Sequence, residues 1–169
     1  MPAFRERVDL LLAGLKAEGI TMVPFVAIRD PFEQARLWRQ SRSREEIVMR
    51  VRDLKLAGAI RIAKCIESVG PQHGKPVTNA PPGLSWHQHG EAVDCYLLDY
   101  GQRADWNADA KGYVRYAEMA VELGLTAGRK FRSSDPVHVQ LRKDEPQHLY
   151  EISRIDHQLA ARFPDFAAL

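Results

Sequence analysis

Two short segments of the 169-residue chain contain most of the side chains that could bind a metal ion. One runs from Ser85 to Asp94 (SWHQHGEAVD), and the other runs from Asp135 to Gln140 (DPVHVQ). Each places imidazole and carboxylate groups beside a stretch in which apolar and polar residues alternate, which is typical of a β-strand. Three such ligands and a water molecule form the open tetrahedral site of a catalytic zinc ion.

The predicted strands favour one set of three ligands. Asp94 would share a strand face with Ala92 and Tyr96, and a carboxylate among apolar residues is costly unless it is paired or bound to a metal. His138 lies between two valines in a similar pattern, and His87 follows a loop rich in proline and glycine. The sequence therefore predicts that His87, Asp94 and His138 can converge on one ion.

A carboxylate that could serve as general base lies three residues before the last of these histidines. Positions three apart on a regular strand face opposite sides, but Pro136 favours a bend that would turn Asp135 toward the metal-bound water. His89 is open to three interpretations: a rival ligand, a group that supports a ligand, or an exposed residue. The last two are favoured.

The pattern Ser-x-His-x-x-Gly-x-Ala-x-Asp, followed by Asp-x-x-His, resembles that of the zinc peptidases that cleave peptidoglycan stem peptides. These include VanY-like D-alanyl-D-alanine carboxypeptidases, VanX-like dipeptidases and phage L-alanyl-D-glutamate endopeptidases. The first pattern matches from Ser85 to Asp94, and the second matches at Asp135 and His138. The resemblance implies zinc held by His87, Asp94 and His138, with Asp135 as the catalytic base.

Further matches to the same family lie outside these two patterns. Arg29, with Gln34 downstream, resembles a family segment whose arginine helps to hold the substrate carbonyl or carboxylate. The resemblance implies a substrate-binding role for Arg29 and Gln34, and Ser85 is expected to orient a carboxylate. The aspartate base, the tripeptide at residues 105–107 and Val139 resemble the phage endopeptidase branch more than the carboxypeptidases.

Apolar periodicity and capping signals predict helices and strands in mixed order. Helices are expected before Gly19, from Asp30, from Ser43 with a break at Gly58, and over residues 107–123 and 145–163, and strands are expected over 20–28, 91–98 and 137–141. Pro24 indicates an edge strand or a bulge. Without regular βαβ alternation, the fold class is α+β.

The resemblance implies a specific version of this fold class. We expect the Hedgehog/D-alanyl-D-alanine-peptidase fold, in which helices flank a small antiparallel sheet. Residues 1–169 are predicted to form a single zinc peptidase domain, in which residues 145–169 are a C-terminal helical extension. The sequence gives no indication of the oligomeric state.

Composition and charge exclude several classes of protein. The net charge of +2 does not favour a nucleic-acid partner, and no apolar run approaches the ~18 residues of a membrane span. Cys65 and Cys95 have no CxxC neighbour and are expected to be buried free thiols. The charged N-terminus lacks the apolar segment of a signal peptide, so we expect synthesis in the cytoplasm and action on the cell wall after release.

The expected activity is zinc-dependent cleavage of peptidoglycan stem peptides by an endolysin-like L-alanyl-D-glutamate endopeptidase. The alternative within the enzymes is a D-alanyl-D-alanine carboxypeptidase or dipeptidase. An alternative of another class is a non-catalytic zinc-binding structural module of a phage particle. Asp135 distinguishes these classes, because a purely structural zinc site needs no base beside it.

Overall fold

The computed structural model describes residues 2–169, which form two compact units. Residues 2–28 and 90–143 form the first unit, and residues 29–89 and 144–169 form the second. None of the described helices has the length and apolar character needed to cross a bilayer. In chain order the elements are α1 (Pro2–Ala17), β1 (Met22–Val26), α2 (Pro31–Arg39), α3 (Arg44–Leu56), α4 (Ile60–Ser68), α5 (Trp86–His89), β2 (Ala92–Leu98), β3 (Ala104–Asp105), α6 (Lys111–Glu122), β4 (Thr126–Ala127), a 3₁₀ turn (Gly128–Lys130), β5 (His138–Gln140), α7 (Pro146–Leu149), α8 (Ile152–Arg162) and α9 (Pro164–Ala167).

The first unit contains an antiparallel sheet in the order β1-β2-β5-β4, and β3 pairs with β2 as well. Within it, Asp94 of β2 lies opposite Val26 of β1 on one side and opposite His138 of β5 on the other. Residues directly opposite on paired strands face the same side, so the Asp94 and His138 side chains are neighbours. The strand β1 lies at an edge of the sheet, and its register shifts between Pro24 and Val26, which confirms the expectation of an edge strand or a bulge at Pro24.

Helices α1 and α6 form a core with the sheet of the first unit. Tyr113 of α6 ties this core together, because its hydroxyl accepts a hydrogen bond from the Leu97 amide and donates one to the Asp105 carbonyl. Alternation along β2 turns Asp94 toward the face opposite the core. Three alternate residues of β2 point into the core: Val93, Cys95 and Leu97.

The second unit is a helical cluster around its own apolar core. The N-cap residue of α4 is Ala59, whose side chain has no atom that can accept a hydrogen bond from the first amides of the helix. Instead Asp156 of α8, which is 1% exposed, accepts from the Ile62 amide at 2.7 Å and from the Arg61 guanidinium at 2.9 Å. A residue distant in sequence thus satisfies one of the free amides at the start of α4, that of Ile62. The core includes Ala35, Trp38, Leu54, Ile62, Ile66, Ile155, Leu159 and Phe166.

Several helix ends follow their sequence signals. Asp30 caps α2 by accepting from two backbone amides. Ser43 and Glu46 form the reciprocal capping box of α3. Gly58, at φ 78°, separates α3 from α4 as expected, because this left-handed conformation favours glycine. The α+β class with a small antiparallel sheet flanked by helices is therefore confirmed.

The single helix predicted over residues 145–163 is wrong. Tyr150 is extended, with φ −138° and ψ 141°, and separates α7 from α8. Leu149 is therefore 42% exposed, whereas Ile155 and Leu159 of α8 are buried. The helices α8 and α9 contribute to the core of the second unit.

Both cysteines are free and fully buried. Burial raises the pKa of the Cys65 thiol to about 12 and that of the Cys95 thiol to about 11. Since the thiolate is the nucleophile, we expect neither to react with a disulfide reagent such as DTNB at about pH 8 while the protein is folded. Both should react after unfolding in guanidinium. Stoichiometric labelling of the folded protein would contradict this prediction.

Candidate metal centre

Two buried side chains that can carry opposite charges lie next to each other on β2 and β5. His138 Nδ1 is 2.9 Å from Asp94 Oδ1, and the two residues are only 8% and 6% exposed. Burial lowers the pKa of His138, but the hydrogen bond and charge of Asp94 act in the opposite direction, and the net pKa is raised. The hydrogen bond of Gln140 and the charge of Asp135 add to this rise. The buried carboxylate therefore has the imidazole as its immediate partner, as a buried charge requires.

His87 lies on α5, a four-residue helix that follows the loop rich in proline and glycine. Its neighbour Gln88 is fully buried and holds the helix through both ends of its amide. The Gln88 oxygen accepts from the Gly83 amide at 3.0 Å, and its nitrogen donates to Gln34 Oε1 at 3.1 Å. These bonds fix the helix on which the buried His87 side chain lies.

The other two residues of α5 also anchor it. Trp86 Nε1 donates to the Asp144 carbonyl at 2.9 Å. His89 Nε2 lies 2.9 Å from the Gly83 carbonyl, which can only accept, so this nitrogen is the donor. Arg162 in turn donates to the His89 carbonyl at 2.7 Å. The structure thus shows His89 engaged with the backbone in support of α5.

The three residues predicted as zinc ligands lie together. One ligand atom from each of His87, Asp94 and His138 lies within 4.8 Å of the other two. Two imidazole nitrogens and one carboxylate oxygen are donors that zinc accepts, and three protein ligands leave a fourth position for water. The donor set of this cluster therefore fits zinc.

Asp135 is positioned by a turn that ends at His138. The His138 amide donates to the Asp135 carbonyl at 3.3 Å, which agrees with the bend expected at Pro136. The Asp135 amide donates to the Gly128 carbonyl at 2.9 Å, and the residue is half-buried. Its charge is the smallest of the causes that raise the pKa of His138.

Gln34 lies in the interior and not at a surface. It is fully buried; its Oε1 accepts from Arg29 and Gln88, both at 3.1 Å, and its Nε2 donates to the Ala80 carbonyl at 2.7 Å. The amide therefore holds the Arg29 guanidinium and α5 at the same time. Ser85, half-buried, precedes α5 and accepts from the Gln88 amide through its carbonyl at 3.1 Å.

Three neighbouring aromatic rings, here called the aromatic triad, consist of Phe25, Tyr96 and Trp106. Their ring centroids lie 5.5 to 6.0 Å apart, and Phe25 and Trp106 are 46% and 60% exposed. Tyr96 follows Asp94 by two residues on β2 and so shares its face of the sheet. The sequence analysis missed this cluster, although the alternation on β2 already placed Tyr96 with Asp94.

A family model described as "VanY: D-alanyl-D-alanine carboxypeptidase" matches residues 2–128. The match covers more than half of the chain. The chain belongs to the VanY family. Membership makes it a zinc metallopeptidase that acts on peptidoglycan, which confirms the enzyme class and cofactor expected from the sequence. The match includes His87 and Asp94 and ends before Asp135 and His138.

Comparison with solved structures finds distant similarity to two peptidases. One is the L-Ala D-Glu endopeptidase ChiX of Serratia marcescens, with 18% identity, 84% of this chain and 80% of that chain covered, and a TM-score of 0.43. The other is the D,D-pentapeptidase VanY (E175A mutant) from a VanB-type vancomycin resistance cassette, in complex with Zn(II). It shows 19% identity, 92% and 76% coverage, and a TM-score of 0.47. No curated protein matches the chain.

Gly128 allows the turn that carries Asp135 to approach closely. A Cβ atom at this position would lie 2.6 Å from the Asp135 carbonyl oxygen and 2.9 Å from His138 Cβ. Gly128→Ala must therefore displace the turn, and we expect a loss of about 1–3 kcal/mol in the free energy of unfolding. We also expect weaker zinc binding, because His138 moves with the turn. Urea unfolding and zinc titration measure the two effects.

Gly101→Ala is the matched control for this prediction, because the nearest atom to its added Cβ would be an Asp99 side-chain oxygen at 3.3 Å. It should leave both stability and zinc binding close to those of the unmodified protein. Equal stability and equal zinc affinity in the two glycine variants would contradict the positioning role of Gly128.

Proposed function

We propose that the protein is an endolysin-like zinc endopeptidase that hydrolyses the L-alanyl-D-glutamate bond of peptidoglycan stem peptides after release to the cell wall. The observation that carries this proposal is the cluster of His87, Asp94 and His138, with Asp135 on the turn next to His138. Family membership supports the substrate class. The sequence Asp-x-x-His-Val, which resembles the endopeptidase branch, supports the choice of bond.

The proposed mechanism assigns one role to each side chain. His87, Asp94 and His138 hold the ion, and zinc, when bound, acidifies its water and polarises the scissile carbonyl. Asp135 accepts a proton from the attacking water at a carboxylate oxygen and passes it to the leaving amine nitrogen. Both groups released by hydrolysis are then accounted for: a carboxylate on alanine and an amine on glutamate.

Arg29 is the proposed contact for the substrate carbonyl or for a stem-peptide carboxylate. A guanidinium can form two parallel hydrogen bonds to a carboxylate, and stem peptides carry carboxylates on D-glutamate. Gln34, buried beneath it, acts through Arg29 by holding one guanidinium nitrogen at 3.1 Å. Ser85 is proposed to orient a carboxylate near α5.

The aromatic triad supports an endopeptidase over a carboxypeptidase. An endopeptidase has to bind its substrate on both sides of the scissile bond, whereas a carboxypeptidase has only one residue beyond it. Exposed rings on the face of β2 that carries Asp94 extend the available surface away from the ligands. Exposed aromatic side chains provide large contact area at interfaces.

Digestion of purified murein, followed by mass analysis of the products, tests the proposal. Cleavage at L-alanyl-D-glutamate releases peptides that begin with D-glutamate, whereas a D-alanyl-D-alanine carboxypeptidase releases free D-alanine. Removal of zinc with a chelator should stop the release, and added zinc should restore it. Release of D-alanine alone would contradict cleavage at L-alanyl-D-glutamate and would indicate a D-alanyl-D-alanine carboxypeptidase. A zinc-loaded protein that releases nothing would be the non-catalytic zinc-binding module.

Asp135→Asn tests the assignment of the base. The amide keeps the shape of the carboxylate but cannot accept the proton, so we expect hydrolysis to fall by about 10²–10⁴-fold. The zinc content should stay near one ion per chain, measured by elemental analysis. His138→Ala, the comparison variant, should lose both zinc and hydrolysis. Loss of zinc from Asp135→Asn would make Asp135 a ligand or a folding residue.

Arg29→Lys tests the contact with substrate. Lysine keeps the charge but loses the planar fork, so we expect cleavage of murein peptides to slow by about tenfold or more while the melting temperature changes little. Arg29→Ala should slow it further. Arg36→Lys, at an exposed position on α2, is the control and should behave as the unmodified protein. Unchanged rates in both Arg29 variants would leave Arg29 a structural residue.

A further inference from the structure

Gln140, two residues after His138 on β5, joins the imidazole ring to the protein backbone. Its Oε1 lies 2.9 Å from His138 Nε2, and its Nε2 lies 2.6 Å from the Arg142 carbonyl oxygen. The residue is only 8% exposed, so these partners and not water satisfy its amide. The family pattern in the sequence ends at His138 and gives Gln140 no role.

The direction of these bonds determines where the imidazole carries its proton. A backbone carbonyl can only accept, so the amide nitrogen of Gln140 faces Arg142 and the amide oxygen faces the ring. An amide oxygen also accepts, so His138 Nε2 is the donor. In a neutral ring the other nitrogen, Nδ1, is then an acceptor, and it lies 2.9 Å from Asp94 Oδ1. Two acceptors at this distance repel each other, and either a second ring proton on Nδ1 or a metal ion bound by both atoms removes the repulsion.

The Arg142 carbonyl that orients the amide is itself held in place. The Arg142 guanidinium pairs with both carboxylate oxygens of Glu91, at 2.8 and 3.2 Å. The amide of Leu141 donates to the Glu91 carbonyl at 2.8 Å. Glu91 directly precedes β2, so the segment that follows β5 is attached to the start of the strand that carries Asp94. The orientation of Gln140 therefore rests on the sheet framework.

We propose that Gln140 is a positioning residue for the metal: it keeps the single proton of the neutral His138 ring on Nε2 and so presents Nδ1 as the ligand atom. The proposal rests on the proposed function only in taking His138 as a metal ligand. Asp94 and Gln140 are both acceptors and compete for that proton from opposite sides of the ring. Without Gln140 the proton moves to Nδ1. The Nδ1–H group then donates to Asp94 Oδ1, so neither of these two ligand atoms is available to the metal.

Zinc affinity measures this competition. Gln140→Met removes the acceptor at nearly constant volume, and we expect the zinc dissociation constant, from competition with a chromogenic chelator, to rise by about 10–100-fold. Gln147→Met, at an exposed position on α7, is the matched control and should leave the constant unchanged. Circular dichroism and thermal melting of each metal-free variant establish that it is folded.

The position of the proton on the His138 ring is the second readout. Replacing Gln140 would not change this position if the residue had only a structural role. Nitrogen-15 NMR of the metal-free protein, at a pH where His138 is neutral, should show the proton on Nε2 in the unmodified chain and on Nδ1 in Gln140→Met. Gln140→Glu keeps an acceptor and should keep the proton on Nε2, and it replaces the methionine variant if that variant does not fold.

Two outcomes overturn the proposal. One is a Gln140→Met protein that binds zinc within about twofold of the unmodified chain. The other is a proton on Nδ1 in the unmodified chain or in Gln140→Glu. None of these measurements uses peptidoglycan. A protein that shows the expected zinc affinities and ring protons but does not cleave murein would overturn the proposed function and leave this inference standing.

Discussion

The structure of the first unit depends on a buried carboxylate beside a buried imidazole. Asp94 and His138 are each less than a tenth exposed and lie directly opposite on paired strands. Burying a carboxylate is unfavourable unless an opposite charge or a metal accompanies it. The sheet register, the Tyr113 bonds to β2 and β3, and the close approach at Gly128 all serve to hold this pair at 2.9 Å.

In the second unit, His87 lies on α5, a helix of only four residues. So short a helix has no stability of its own. Buried amides supply what the helix lacks: Gln88 reaches Gln34 and Gly83, and Gln34 in turn holds Arg29. Gln34, which resembles part of the family's substrate-binding segment, therefore also belongs to the packing around α5.

The difference between what the sequence could and could not predict follows from the range of the interactions. Asp94 and His138 could be predicted, because strand alternation places a polar group on one face from local sequence alone. The partners of Gln34 and Gln140 could not, because an amide both donates and accepts, and its partners are set by distant parts of the chain. The extended conformation of Tyr150 could not be predicted either, since the apolar spacing on both sides of it suits one helix.

The cap that Asp156 gives to α4 has a consequence for synthesis. Residues 29–89 contain most of the second unit, but the partner of the Ile62 amide at the start of α4 and part of the core are supplied only by residues 144–169. A ribosome adds residues in order, and domains generally fold as units once their sequence is available. The second unit is therefore completed last, after the strands of the first unit have emerged from the ribosome.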